Sequence, residues 1–346
     1  MTRTSADDAL DRLLATGHDR AATIDAHHAR LWDALAAATD GGKRFRPALV
    51  LATHDVLGGT CPSAAAEVGA AVELLHTAFV VHDDVIDGDH VRRGRPNVSG
   101  TFRAAGLADD MPVEDATHYG STAAVLAGDL ALAAAVRAVA TCGAPAPDVH
   151  RLLDLFDVAL HTTAAGELAD VRLSLLAGPA SLADSLVMEQ QKTSAYSFSL
   201  PLQAGAVLAG ADARRVEELG EAGRLLGIAF QLVDDLIGVF GDPVRTGKSA
   251  TNDLRTRKQT PLLVHAATTS EWPQVSAHLG RDLDDDDLAE VRRLLTASGS
   301  RAFVEELADR HLAEARGLLA EAGVDPGLLD GLLPPPALLT GAEAAA

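Results

Sequence analysis

Two apolar helical stretches that each end in paired aspartates constrain this chain more than any other feature. From Glu67 to Val81 nearly every residue is apolar or small, the pattern of a helix buried on most sides, and His82-Asp83-Asp84-Val85-Ile86-Asp87 follows directly. In the second stretch Leu219, Leu225, Leu226, Ile228, Ala229, Leu232, Val233, Leu236 and Ile237 recur at helical spacing around Asp234-Asp235. Burying both stretches takes a good deal of surrounding helix. Hydrophobic residues, chiefly Ala and Leu, make up 47% of the 346 residues and aromatics only 3%, which favours packed helices over a sheet. We expect an all-α fold, a single large helical bundle of residues 1–346 around a deep central cavity, with both aspartate pairs facing across its mouth and frayed ends at 1–8 and 334–346.

The net charge of −20 and pI near 4.9 argue against nucleic acid as a partner, because phosphate recognition needs a basic face. An anionic substrate must therefore find a local positive pocket. Cys61 and Cys142 have no CxxC neighbour, so neither a disulfide framework nor a zinc site is expected. No apolar leader follows Met1, and a cytoplasmic location is the expectation. The apolar region Ser121–Ala140 carries Asp129 and Arg137 and reads as a buried core helix rather than a transmembrane segment. Residues 97–120, with Gly, Pro and scattered charge, read as a long surface loop, and its Asp109, Asp110 and Asp115 are assigned no chemistry. Asp284 to Asp287 sit just before Leu288, where acid complements the start of a helix.

Asp83 and Asp87 are four residues apart, hence on one helical face a turn apart. Magnesium wants oxygen ligands and is commonly held by one or two carboxylates together with substrate phosphates. A clamp of this kind implies a diphosphate partner. The second motif, Gln231-Leu232-Val233-Asp234-Asp235-Leu236-Ile237-Gly238, has glycine in its fifth place. One magnesium through Asp234 is expected there, with Asp235 supporting and Asp242 a further candidate.

The basic residues narrow the reading, since the chain has 25 arginines but only four lysines, Lys43, Lys192, Lys248 and Lys258. A sequence that prefers Arg keeps Lys where a compact ammonium matters, and phosphate oxygens are such a place. The lysines occur in Gly41-Gly42-Lys43-Arg44-Phe45-Arg46-Pro47, Gln191-Lys192-Thr193, Thr246-Gly247-Lys248 and Arg257-Lys258-Gln259-Thr260; Arg92-Arg93-Gly94-Arg95-Pro96 lies just beyond the first clamp.

Together with Gly166-Glu167-Leu168-Ala169-Asp170 and the FQLVDD run from Phe230, these segments resemble the trans-isoprenyl diphosphate synthases, or polyprenyl synthetases, over roughly residues 40 to 265. The resemblance implies a magnesium-dependent prenyltransferase that condenses isopentenyl diphosphate with an allylic diphosphate into a linear all-trans product, acting as a homodimer. It implies that Lys43, Arg46, His76 and Arg93 hold isopentenyl diphosphate. Arg92, Lys192, Thr193, Gln231, Lys248 and Lys258 would surround the allylic diphosphate or its metals. Asp83 and Asp87 would bridge two magnesium ions and Asp234 a third, so that Asp83, Asp84, Asp87, Lys192, Asp234 and Asp235 form the catalytic set. Glu167 and Asp170 are candidates for positioning lysines or waters near the metals. In such enzymes the residues four and five places before the first aspartate, here Phe79 and Ala78, limit chain length. A ring at Phe79 beside a small Ala78 points to geranylgeranyl diphosphate, with farnesyl diphosphate next. Two other readings are a class I terpene cyclase, whose second metal motif Asn252-Asp253-Leu254-Arg255-Thr256 resembles until Thr260, and a non-catalytic subunit of a heteromeric synthase.

Overall fold

The structure, a computed structural model, describes residues 4–176, 178–241 and 251–329. In chain order its main elements are α1 (Ser5–Ala22), α2 (Ala26–Thr39), α3 (Phe45–Val56), α4 (Pro62–Ile86), β1 (Val91–Arg92), β2 (Arg95–Pro96), α5 (Val98–Ala108), α6 (Val113–Ala140), α7 (Ala146–Ser174), α8 (Leu182–Glu189), a π-helical segment Gln190–Ser199, α9 (Leu200–Leu208) and α10 (Ala213–Phe240). Short helices at Asn252–Arg255, Pro261–Ala266 and Trp272–Ser276 precede two longer ones, Asp285–Ala297 and Ser300–Glu321. The all-α expectation is met, apart from one short hairpin among the described residues.

The chain forms two compact units, Met1–Asp157 with Leu200–Val216, and Val158–Ser199 with Glu217–Ala346. In the first unit α4 is the core. It starts with Pro62 at its first turn, where a missing N–H costs nothing, and Ala65, Val68, Ala70, Ala71, Val72, Leu74, Leu75 and Ala78 are wholly buried. Helix α6 packs on α4 and on α5 and buries small residues, among them Ala116, Gly120, Ala124, Ala127, Ala131, Ala135 and Ala138; a Cβ on its Gly128 would collide with His82 of α4. The other face of α6 is open: Val125 is 42% and Leu126 49% exposed. The expectation of a buried core helix therefore holds for one face of α6 only. Both α4 and α6 are long and apolar enough to cross a membrane by length and composition, but 78% of the apolar window of α4 is buried within the protein.

Two expectations are corrected. The stretch 97–120 is not a loop: Asn97 caps α5 by accepting from the Gly100 N–H at 2.8 Å, Asp109 closes that helix, and Glu114 and Asp115 favour the start of α6. Its glycines are contact points, since a Cβ at Gly120 would collide with the Ser99 carbonyl of α5. Nor does fraying extend over residues 5–8, because Thr4 and Asp7 form a capping box, with the Thr4 N–H donating to Asp7 at 2.7 Å.

In the second unit Ile228, Leu232 and Leu236 of α10 pack with Leu254, Leu262, Val291, Leu295 and Val304. Asp284 caps the helix that follows it through the Asp287 N–H at 2.8 Å, as the acidic run suggested. Residues 330–346, including the expected frayed tail, lie outside the described residues.

Candidate active site

In the first unit α4 delivers the first aspartate motif. The helical ladder continues to the Asp87 N–H, which donates to the Asp83 carbonyl at 2.8 Å, so both residues keep helical geometry one turn apart. Asp87 is exposed, the Asp83 side chain is 25% exposed, and Asp84 points inward and is buried. The hairpin β1–β2 follows at once. Its turn residues Arg93 and Gly94 have φ of 54° and 72°, the pair of positive values that a two-residue type I′ turn requires. That turn sends Arg92 back to the clamp, where its Nε donates to Asp84 Oδ1 at 2.8 Å and its Nη2 to Asp83 Oδ2 at 3.3 Å. Burial raises the Asp84 carboxyl above its ordinary range, with Arg92 opposing. Arg93 donates to the Asp40 carbonyl at 2.9 Å, next to the exposed Lys43 and the buried Arg46, whose guanidinium lies 4.3 Å from the centre of the Phe45 ring.

His76, two turns before the clamp, is surrounded by this positive charge. Burial first, then Arg46, Arg92, Arg93 and Arg44, hold its imidazole well below the usual histidine range, so it is neutral at pH 7. Four guanidiniums act on one point in a chain of net charge −20. Arg44, Arg46, Arg92 and Arg93 thus form one basic patch around His76 on the first unit, and Lys43 stands exposed on the loop that carries Arg44. Of the expected chain-length pair, Ala78 is wholly buried whereas Phe79 keeps part of its surface accessible.

The second unit carries the remaining candidates. Ten residues, Gln190–Ser199, form a π-helix, a wide form common at functional sites. Neighbouring helices accommodate its width with glycine: a Cβ on Gly166 of α7 would collide with the Lys192 backbone, and those on Gly223 and Gly227 of α10 would lie 2.5 Å from the Cα atoms of Ser199 and Ser194. The segment presents Lys192, whose Nζ meets Asp170 at 2.7 Å and Glu167 at 3.1 Å. Thr193 donates to Gln231 Oε1 at 3.1 Å, and Gln231 Nε2 donates to Asp235 Oδ1 at 3.0 Å. Beyond Asp235 lies Glu189, which sequence reasoning missed. The two carboxyls hydrogen-bond one another, and burial raises both: Asp235 then adds to the rise of Glu189, while Asp235 itself goes to about 7, pushed further by Asp253 and Asp234 and opposed by its bond to Glu189. Asp234, half-buried, stands beside this pair.

Gly238 fills the fifth place of the second motif. A Cβ there would lie 2.5 Å from Asp253 Oδ2, so the space belongs to a carboxylate from the helix Asn252–Arg255, and Asp253 in turn lies 3.9 Å from Lys258. Lys248 and Asp242 lie outside the described residues. The structure thus brings Asp83, Asp84 and Arg92 together in one unit and Lys192, Thr193, Gln231 and Asp235 in the other.

Among the described residues, no three or more His, Cys, Asp or Glu side chains assemble into a metal cage. The donors in each motif are carboxylate oxygens without sulfur or imidazole, a set that suits magnesium completed by phosphate oxygens.

Residues 28–295 match the model of the polyprenyl synthetase family. A geranylfarnesyl diphosphate synthase of Aeropyrum pernix is 34% identical over 286 residues, covering 81% of this chain and 83% of its own. A (2E,6E)-farnesyl diphosphate synthase of Mycobacterium tuberculosis is 33% identical over 292 residues, 82% of this chain and 75% of its own. The crystal structure of geranylgeranyl pyrophosphate synthase from Corynebacterium glutamicum, complexed with isoprenyl diphosphate and magnesium, superposes with a TM-score of 0.84 at 29% identity, covering 92% of each chain. These three relatives make products of three different lengths.

Proposed function

The chain belongs to the polyprenyl synthetase family, and on that premise we propose how its residues divide the work and which product they make. It is a trans-prenyl diphosphate synthase, a prenyltransferase that joins isopentenyl diphosphate to an allylic diphosphate. The observation that carries the residue assignment is the basic patch beside the aspartate clamp: the guanidiniums of Arg44, Arg46, Arg92 and Arg93 around a neutral His76 in a strongly acidic protein.

Lys43, Arg46, Arg93 and His76 bind the diphosphate of isopentenyl diphosphate. His76, being neutral, offers one ring N–H and one acceptor without adding charge to be neutralised. Asp83 and Asp87 would hold magnesium from the first unit and Asp234 from the second, with Asp84 and Asp235 as supporting residues. Bound magnesium supplies the Lewis-acid charge that stabilises the departing diphosphate. Lys192, Thr193, Gln231, Lys248 and Lys258 surround the allylic diphosphate. Glu167 and Asp170 aim the Lys192 ammonium, a point charge on a flexible stem that requires steering. Fixed cations of this kind stabilise charge that develops only as the C1–oxygen bond breaks, which is where they accelerate reaction. The isopentenyl double bond then attacks the allylic carbocation, and a proton leaves to the released diphosphate. The mechanism requires that water be kept from the cation.

We propose geranylgeranyl diphosphate as the product. Support comes from Phe79, a partly buried residue one turn of helix before the clamp, while Ala78 is packed away. One helical turn is about 5.4 Å, close to one isoprene unit, so a single ring can set the length. The chain acts as a homodimer in this reading. The open face of α6, with Val125 and Leu126 exposed and a neighbouring pocket of about 490 Å³ lined by Leu31, Phe102, Leu126 and Leu130, is apolar surface of the kind an obligate partner covers.

The test is incubation with magnesium, isopentenyl diphosphate and, in turn, dimethylallyl, geranyl and farnesyl diphosphates, with mass spectrometry of the dephosphorylated products. A linear alcohol of four isoprene units is expected from all three primers, and none after chelation of the metal. A main product of three units, or of five and more, would sink the geranylgeranyl reading.

A further inference from the structure

We propose that Arg44 is a positioning residue, locking the loop Asp40–Arg46 so that Lys43 and Arg46 present their charges to isopentenyl diphosphate, with Glu73 and Asp7 as its two fixed points. The proposal rests on the assignment of Lys43 and Arg46 made above.

Arg44 is the residue before α3, and it sits at φ 52°, in the left-handed region that a residue with a β-carbon rarely adopts. Strain of this kind persists only where surrounding contacts over-determine it. Here the contacts are two carboxylates. The Arg44 Nη1 donates to Glu73 Oε1 at 2.9 Å, and its Nε lies 3.4 Å from Asp7 Oδ1. The Arg44 side chain is only 19% exposed, so solvent screens these pairs weakly.

Each fixed point is itself held. Glu73 stands on the core helix α4 one turn before His76 and is 4% exposed, so its carboxylate needs a cation beside it. Asp7 receives the Thr4 N–H at 2.7 Å and the Thr4 hydroxyl at 2.8 Å in the capping box of α1. The loop passes directly over Glu73: a Cβ on Gly42 would stand 3.4 Å from Glu73 Oε1. At its start Arg93 grips the Asp40 carbonyl at 2.9 Å. With residue 44 turned inward, Lys43 remains exposed and Arg46 lies over the Phe45 ring. A lysine could not span both carboxylates from a single planar fork, which accounts for arginine at this place.

The experiment measures KM for each substrate in Arg44→Gly, Arg44→Lys, Glu73→Gln and Asp7→Asn, with Lys43→Ala as reference, Thr4→Ala as a control that removes the cap alone, and a melting temperature for each. Glycine at 44 accepts the left-handed backbone while deleting the guanidinium, so it separates tethering from backbone strain. The expected result is a rise of about tenfold or more in KM for isopentenyl diphosphate in Arg44→Gly and Glu73→Gln, with the allylic KM unchanged within about twofold and partial recovery in Arg44→Lys. Should Arg44→Gly or Glu73→Gln fail to fold, Asp7→Asn, which leaves the buried Arg44–Glu73 pair intact, carries the same expectation. If Lys43→Ala leaves the isopentenyl KM unchanged, the assignment of Lys43 falls. If Lys43→Ala raises it but Arg44→Gly does not, or if Arg44→Gly raises both KM values together in step with a lowered melting temperature, Arg44 is a staple of the fold and the positioning role is overturned.

Discussion

Replacing Glu189 by glutamine should change how the stability of the metal-free protein depends on pH. Glu189 and Asp235 are 3% and 5% exposed. Asp235 Oδ2 and Glu189 Oε2 are buried without an N–H or O–H donor among the described residues, while the two carboxyls hydrogen-bond each other. A bond between two carboxyl groups needs a proton. Burial and the neighbouring acids accordingly push Asp235 from 3.8 to about 7 and Glu189 well upward. A carboxyl whose folded value lies above its unfolded value contributes stability that is fully present below the unfolded value and is lost as the pH rises through the folded one. For Asp235 that window runs from about pH 4 to just above 7, and the amount lost is on the order of 4 kcal/mol. Glutamine at 189 can donate an amide N–H to Asp235 without any titrating proton. The variant should therefore be less stable than the natural protein at about pH 5 and more stable by roughly 1–3 kcal/mol at about pH 8.5. Urea unfolding in the presence of a chelator, run across this range on both proteins, measures it. His76, His265 and His311, whose lowered values make the fold gain stability as pH rises through the histidine range, contribute equally to both proteins and cancel in the difference. Parallel curves for the two proteins would refute the shared proton.

Completing the second motif with Gly238→Asp should harm rather than help. The new Cβ would lie 2.5 Å from the Asp253 carboxylate, so we expect a loss of about 1–3 kcal/mol in stability and at least about a tenfold fall in kcat; increased activity would contradict this. Gly227→Ala should cost a similar ~1–3 kcal/mol and lower kcat, because the methyl group meets Ser194 in the π-helical segment; unfolding and turnover measured together check it. Asp83→Asn should lower kcat by about a hundredfold or more and raise the magnesium concentration needed for half activity, whereas equal loss at every magnesium level would speak against a metal-holding role.

The parts of the site that depend on local periodicity were legible in the sequence. Asp83 and Asp87 share a face because helix geometry puts residues four apart together, and the apolar run before them could only be a core helix. Helices α5 and the start of α6 were hidden because Gly100, Gly106 and Gly120 resemble loop punctuation, while their actual reason is close packing against His90, Met111 and Ser99. Glu189, Glu73 and Arg44 escaped notice for another cause. Arg44 and Glu73 are 29 residues apart in sequence and Glu189 meets an acid on a different helix, so nothing local marks them. The lysine scarcity did lead to Lys192, yet which acids hold it, Glu167 and Asp170, emerges only from the packing of α7 on the π-helical segment.

That segment also determines which genetic changes the chain can absorb. A π-helix carries more residues per turn than an α-helix, so shortening the chain between Gln190 and Ser199 would let the remainder close toward ordinary α-helix without breaking the backbone. The cost would appear as rotation: a π-helical residue turns the chain by less than the about 100° of an α-helical one, so closing the segment into α-helix would change the phase of the residues that follow it against those before it. Lys192 would leave Asp170, and Thr193 would leave Gln231, although every residue type in both motifs was still present. Substitutions here are a question of chemistry, but length is a question of phase, and it tolerates no deletion.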